Sequence, residues 1–190
     1  MTGRSIQKEP LLRRRTGARV RSTRVKPGLY RAPPSPPSVD GSAHDLELMR
    51  SDQPPVPVFG SLNPAIGYTP RRAAYAVITD PGGMIATVKG SFGYFLPGGG
   101  SLPGETPEQT VRREVREELA REVRIVRQIG EAIQYFYADG RQYRMEATFF
   151  AAEFSSDAGG VGEHELYWLD KAEMEGAFFH GSHAWAGCQI

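Results

Sequence analysis

Cysteine, tryptophan and histidine are scarce: the 190 residues hold one, two and four of them. The single thiol, Cys188, excludes an intramolecular disulfide framework. It lies close to the end of the chain and reads as incidental rather than catalytic. Metal sites of the zinc type are excluded for a similar reason. His180 and His183 are three apart and could touch one ion, but no cysteine or further histidine joins them at zinc spacing. They read better as helix-capping or core-edge residues. Long apolar runs are missing too. No stretch approaches the ~18 residues of a membrane-spanning helix, and none resembles the apolar core of a signal peptide. A soluble, cytoplasmic protein with no membrane partner is expected, and a homodimer stays open.

Net charge is nearly absent, at +1. That balance hides an asymmetry. Residues 1–31 carry ten Lys/Arg against one acid, Glu9, so the remainder is acidic. Arg13-Arg14-Arg15 sits inside this basic part, and the Pro/Ser tract Ala32 to Val39 follows it. So much charge with so few apolar side chains cannot bury enough surface to offset ordering entropy. Residues 1–52 are therefore expected to form a basic, Pro-rich, disordered arm, and residues 53–190 the folded domain. The arm could touch nucleic acid or an anionic membrane surface through charge alone, or act as a transit-like segment. Met49 is the alternative start.

What the chain does have is concentrated between Gly99 and Arg121. Thr106, Pro107 and Gln109 form the cap, first residue and capping-box partner of a helix. Val111, Val115 and Leu119 give it an apolar stripe. At ~100° per residue from Val111, Glu117, Glu114 and Glu118 fall near 240°, 300° and 340°, and the arginines fill about 100–200°. Three carboxylates on one helix face repel each other unless a cation lies between them. A hard, oxygen-seeking ion such as Mg²⁺ suits them best. Just upstream, Pro97-Gly98-Gly99-Gly100 is expected to be irregular, with glycines that let backbone approach a ligand.

Gly99, Glu105, Arg113, Glu114, Val115, Glu117 and Glu118 stand in the register of the Nudix box, so the chain resembles Nudix (MutT-like) hydrolases from about Pro57 to Trp185. Ala120 and Arg121 depart from the box, which has glycine and an apolar residue there. Alanine in a left-handed position costs ~1 kcal/mol, so the helix is expected to run on or end differently.

The resemblance implies an α/β/α sandwich with a mixed sheet and a loop–helix–loop motif. It implies metal-dependent hydrolysis of the diphosphate bond in a nucleoside diphosphate linked to another group. Glu114, Glu117 and Glu118 would hold Mg²⁺ or Mn²⁺, with Glu105 and Gly99 supporting the metal site. Arg113 would hold a carboxylate, and Glu163 is the candidate general base, with Glu165 as the alternative proton acceptor and His164 as a group that could titrate near neutral pH. Tyr135 and Tyr137 are candidates for stacking a base. Two alternatives stand beside this reading: a non-catalytic nucleotide-binding regulator of the same fold, and an enzyme acting on RNA 5′ ends with help from the basic arm.

Periodicity and turn signals supply the remaining elements. Strands are expected over residues 73–79, 84–88, 91–96, 123–128, 131–137, 142–154 and 165–169, with Trp168 buried. Asp80-Pro81-Gly82-Gly83 and Asp139-Gly140 are hairpin turns. Helical segments are expected over residues 171–177 and 178–185.

Overall fold

The computed structural model describes residues 55–190. The arm over residues 1–52 and Met49 lie outside them. Strands β1 (Val58–Phe59), β2 (Thr69–Ile78), β5 (Gly98–Gly100), β6 (Arg121–Ala138) and β7 (Arg141–Asp157) form one sheet in the order β1-β6-β7-β2-β5. Strands β3 (Ile85–Gly90), β4 (Gly93–Phe95) and β8 (Leu166–Leu169) form a second, in the order β4-β3-β8. The larger sheet is mixed. β2 runs parallel to β7 and antiparallel to β5, and β6 and β7 are an antiparallel hairpin.

The run from Ala73 to Ile78 is buried throughout because β2 is central and covered on both faces. Ala74, Ala76 and Ile78 meet Val111, Val115 and Leu119 of helix α1 (Pro107–Leu119). Ala73, Tyr75 and Val77 face the opposite core with Met145 and Phe149. That core is closed by helices α2 (Met174–Ala177) and α3 (Gly181–Gly187), which supply Met174 and Ala186. The result is the α/β/α layering with α1 alone on one side.

Helix α1 begins as the sequence predicts. The Thr106 side chain accepts from the Gln109 N–H at 3.3 Å, and the Thr106 N–H donates to the Gln109 side chain at 2.8 Å. Its end differs from expectation. The helix neither runs on nor changes its exit: Ala120 itself takes the left-handed conformation, at φ 51° and ψ 41°. The loop after β7 answers the exposed C-terminal carbonyls. N–H groups of Ala158, Glu163 and His164 donate to the carbonyls of Ala120, Glu117 and Glu118 at 2.9, 3.1 and 2.8 Å. Gly162 lies so near that a Cβ there would stand 2.4 Å from the Glu118 carbonyl.

Other expectations change in detail. The triple glycine is regular after all: Gly98, Gly99 and Gly100 pair with Tyr75, Ala74 and Ala73 as an edge strand. Close approach demands glycine there, because a Cβ on Gly98 would lie 2.3 Å from the Ala74 carbonyl. The strand expected over residues 91–96 is only β4, and Leu96-Pro97 links it to β5. The two strands expected at 123–128 and 131–137 are one, β6, with register irregularities that absorb Val126 and Ile129. The last helix starts at Gly181, not Phe178. Trp168 is half-buried, edge-on to Phe154.

Candidate active site

Helix α1 presents its acidic face to β5. The Gly98 N–H donates to Glu118 Oε2 at 3.0 Å. The Glu114 carboxylate lies against Gly99, where a Cβ would fall 2.7 Å from its carbon. Any side chain at Gly99 would therefore displace Glu114.

Arg113 organises the rest. Its five N–H donors all find acceptors, the full capacity of a guanidinium. Nε donates to Glu105 Oε1 at 2.7 Å, and one terminal nitrogen donates to Glu114 and Glu117 at 2.8 and 3.0 Å. The other donates to the Gly100 carbonyl at 2.9 Å and to Glu105 Oε2 at 3.0 Å. Glu105 also accepts from the Leu102 N–H and the Thr110 hydroxyl, at 2.9 and 3.0 Å. The Arg113 hydrogen bonds, followed by the Leu102 N–H, hold its carboxyl down at about 2. Both Glu105 oxygens are thus engaged within the loop, and the residue locks Arg113 in place. Thr110, buried under this loop, was not singled out in the sequence; its place one turn after the Thr106 cap was the available signal.

Glu118 is the opposite case. Burial raises its carboxyl to about 8; the Gly98 N–H opposes that, and Glu114, Glu163 and Glu117 add to it by like-charge repulsion. This is a local excess of negative charge that a cation would relieve. The donors are all oxygen, which fits a hard divalent ion. Among the described residues, no three carboxylates, imidazoles or thiolates stand in metal-holding geometry, because Arg113 bridges Glu114 and Glu117. Glu117 is half-exposed and held by one Arg113 nitrogen, so it is the carboxylate freest to redirect.

A cleft of about 280 Å³ opens beside Glu118, Gly98 and Gly99. Arg71 and Lys89 line it as cations, and Phe92, Phe95, Phe136 and Phe179 as aromatics. Sequence reasoning missed all six. Tyr135 and Tyr137 do not line this cleft. They flank Phe136 on the strand and point to its other side: Tyr135 packs edge-on against Tyr68, and Tyr137 is exposed. A larger cavity of about 820 Å³ lies on the far side of the loop and touches Glu105 but none of the other three carboxylates.

Glu163 is exposed, and its backbone is tied to the end of α1. Its charge reaches Glu118. His164 lines the cleft. Glu165 is turned to Tyr167, whose hydroxyl donates to it at 2.8 Å. Among the described residues, His180 and His183 are internal. His183 Nδ1 accepts from the Leu96 N–H at 3.0 Å and fastens α3 to the β4–β5 link. His180 is the N-cap of α3 without a side-chain cap bond. Burial lowers the pKa of both, His180 to about 4.

No helix among the described residues is long and apolar enough to cross a membrane. No curated protein matches the chain. A NUDIX domain model matches residues 69–184. Solved structures with the same fold include a NUDIX hydrolase from Nitrosomonas europaea, 18% identical, with 64% of this chain and 88% of that one covered and a TM-score of 0.52. A MutT NUDIX hydrolase from Burkholderia pseudomallei is 25% identical, with 64% and 98% covered and a TM-score of 0.50. With the fold, the box helix and a family match over more than half its length agreeing, this chain belongs to the Nudix hydrolase family.

Proposed function

We propose that the protein is a metal-dependent diphosphatase that cleaves the diphosphate bond of a nucleoside diphosphate linked to another group. The observation that carries this reading is the meeting of Glu114 and Glu118 with the side-chain-free edge at Gly98-Gly99, beside a cleft that Glu118, Arg71 and Lys89 line. Glu114, Glu117 and Glu118 would hold Mg²⁺, or Mn²⁺ in its place. When bound, the ion supplies charge neutralisation at the phosphoryl oxygens and lowers the pKa of an attacking water.

The chain's own groups do the rest. Arg113 aims Glu114 and Glu117 through its hydrogen bonds, and Glu105 fixes Arg113. Arg71 lies over Gly100, where a Cβ would be 3.2 Å from its guanidinium, and can meet a phosphate entering the cleft. Glu163 is the proposed proton acceptor for the water, since its exposed side chain is on the loop tied to the end of α1 and its charge acts on Glu118.

Glu117→Gln tests the reading. Phosphate release from nucleoside diphosphate derivatives with Mg²⁺ should fall by at least about a hundredfold in this variant, the scale of losing one electrostatic group. The circular dichroism spectrum should not change, because Glu117 is half-exposed. Full turnover in the variant would refute the assignment.

A further inference from the structure

The loop between β7 and β8 is held to the end of α1 by backbone alone. Its first tie is the Ala158 N–H on the Ala120 carbonyl; its last are the Glu163 and His164 N–H groups on those of Glu117 and Glu118. A helix leaves its final carbonyls without partners of its own, so this loop completes the helix end. Between the ties the chain turns away. Gly159 and Gly160 have positive φ and open space around them, and Val161 is 98% exposed. Contact resumes at Gly162. A Cβ there would stand 2.4 Å from the Glu118 carbonyl oxygen and 2.7 Å from Leu119 Cα. Gly162 is not among the glycines with positive φ, so backbone conformation does not require a glycine here; proximity to the helix does. Glu163 follows directly, with an exposed side chain whose charge acts on Glu118.

We infer that Gly162 is a positioning residue for Glu163: by letting the loop lie directly on the last turn of α1, it sets where the Glu163 carboxylate stands relative to Glu117 and Glu118. The proposal rests on the diphosphatase reading, in which Glu163 takes the proton of the attacking water. The proton acceptor and two of the carboxylates proposed to hold the ion then share one backbone frame, since residues 163 and 164 bond to the carbonyls of residues 117 and 118 themselves. A side chain at 162 breaks that frame. Relaxing a 2.4 Å contact to an ordinary C···O separation of about 3.4 Å lifts the loop by roughly 1 Å. A displacement of that size in a reacting group is enough to cost up to about a hundredfold in rate.

The test is a double-mutant cycle of Gly162→Ala and Glu163→Gln in the full chain, read as Mg²⁺-dependent hydrolysis of ADP-ribose, UDP-glucose and diadenosine tetraphosphate. Gly162→Ala should lower kcat by about ten- to hundredfold with little change in KM, and Glu163→Gln by at least about a hundredfold. Adding Gly162→Ala to Glu163→Gln should change kcat by less than about twofold, because the group it misplaces is already gone. A glycine that only keeps α1 intact predicts the reverse, since damage to Glu117 and Glu118 would persist without Glu163. Hydrogen exchange gives a readout that needs no turnover. In the unaltered protein the Glu163 and His164 amides should exchange more slowly than that of Val161, and Gly162→Ala should erase the difference. Full kcat in either single variant, an undiminished loss in the double variant, or Glu163 and His164 amides as fast as Val161 in the unaltered protein would overturn the assignment, the last even if Gly162→Ala fails to fold. Absence of turnover on every probe by the unaltered protein, read before any variant is made, would remove the diphosphatase reading and this assignment with it.

Discussion

Replacing Ala120 with glycine should make the protein more stable. Ala120 ends α1 at φ 51° and ψ 41°, a conformation in which Cβ crowds the following carbonyl. That crowding costs about 1–2 kcal/mol for a residue with a side chain. Glycine removes it but loses more backbone freedom on folding, which offsets about 0.4–1 kcal/mol. The net gain is about 0.5–1 kcal/mol. For a folded part of this size it raises the melting temperature by roughly 2–4 °C. The backbone contacts are unaffected by the change, since the Ala120 carbonyl still accepts from the Ala158 N–H at 2.9 Å. Thermal unfolding followed by circular dichroism reads the effect, and Ala120→Val is the control. A β-branched residue fits this conformation worse than alanine, so the control should melt lower. An unchanged or lower melting temperature for Ala120→Gly would show that the helix end carries no strain. Diphosphate hydrolysis should stay within twofold, because Ala120 reaches no ligand group.

Three further outcomes follow. Arg113→Lys keeps the charge but cannot fork, so it cannot hold Glu105, Glu114, Glu117 and the Gly100 carbonyl together; kcat should fall by about ten- to hundredfold, the usual scale for groups that orient metal ligands, with a smaller change in KM. Glu118, raised to about 8 by burial, takes up a proton more readily folded than unfolded, so the metal-free protein should lose about 1 kcal/mol of stability between pH 7 and pH 8. His180, lowered to about 4, acts in a separate window: its stabilisation is present above pH 6.5 and is lost as the pH falls towards 4. Urea unfolding of the protein and of Glu118→Gln at pH 7 and 8 checks the Glu118 effect; the variant should be flat, and a wild-type protein that is flat or gains stability would contradict the assigned burial of Glu118.

The box helix was legible because its signals are local. Thr106, Gln109, the Val111-Val115-Leu119 stripe and the carboxylate spacing all lie within one helix, and each has its role in the folded chain. The aromatic cleft was not legible, since its walls come from β3, β4, β6 and the turn before α3, which only the fold brings together. Strand parity misled as well. Tyr135 and Tyr137 were the candidates, yet Phe136 lines the cleft. The irregularities in β6 change which alternate residues face which core: Ile125 packs with α1, while Ile129 and Ala132 pack on the other side. Nothing in the local sequence sets that phase. The loop that ties Glu163 to α1 is similar, because its bonds run from backbone to backbone and leave no side-chain pattern. Gly162 was the one trace of it.

The edge strand of glycines has a consequence for solubility. β5 closes one side of the larger sheet, and a bare edge of that kind invites another chain to pair with it. Three consecutive glycines offer no bulk to turn such a partner away. Here the deterrent is borrowed from the neighbours: Glu114 lies on Gly99, Glu118 takes the Gly98 N–H, and Arg71 and Arg113 flank Gly100. The same charges that are proposed to hold an ion therefore also keep copies of the protein from zipping together along this edge.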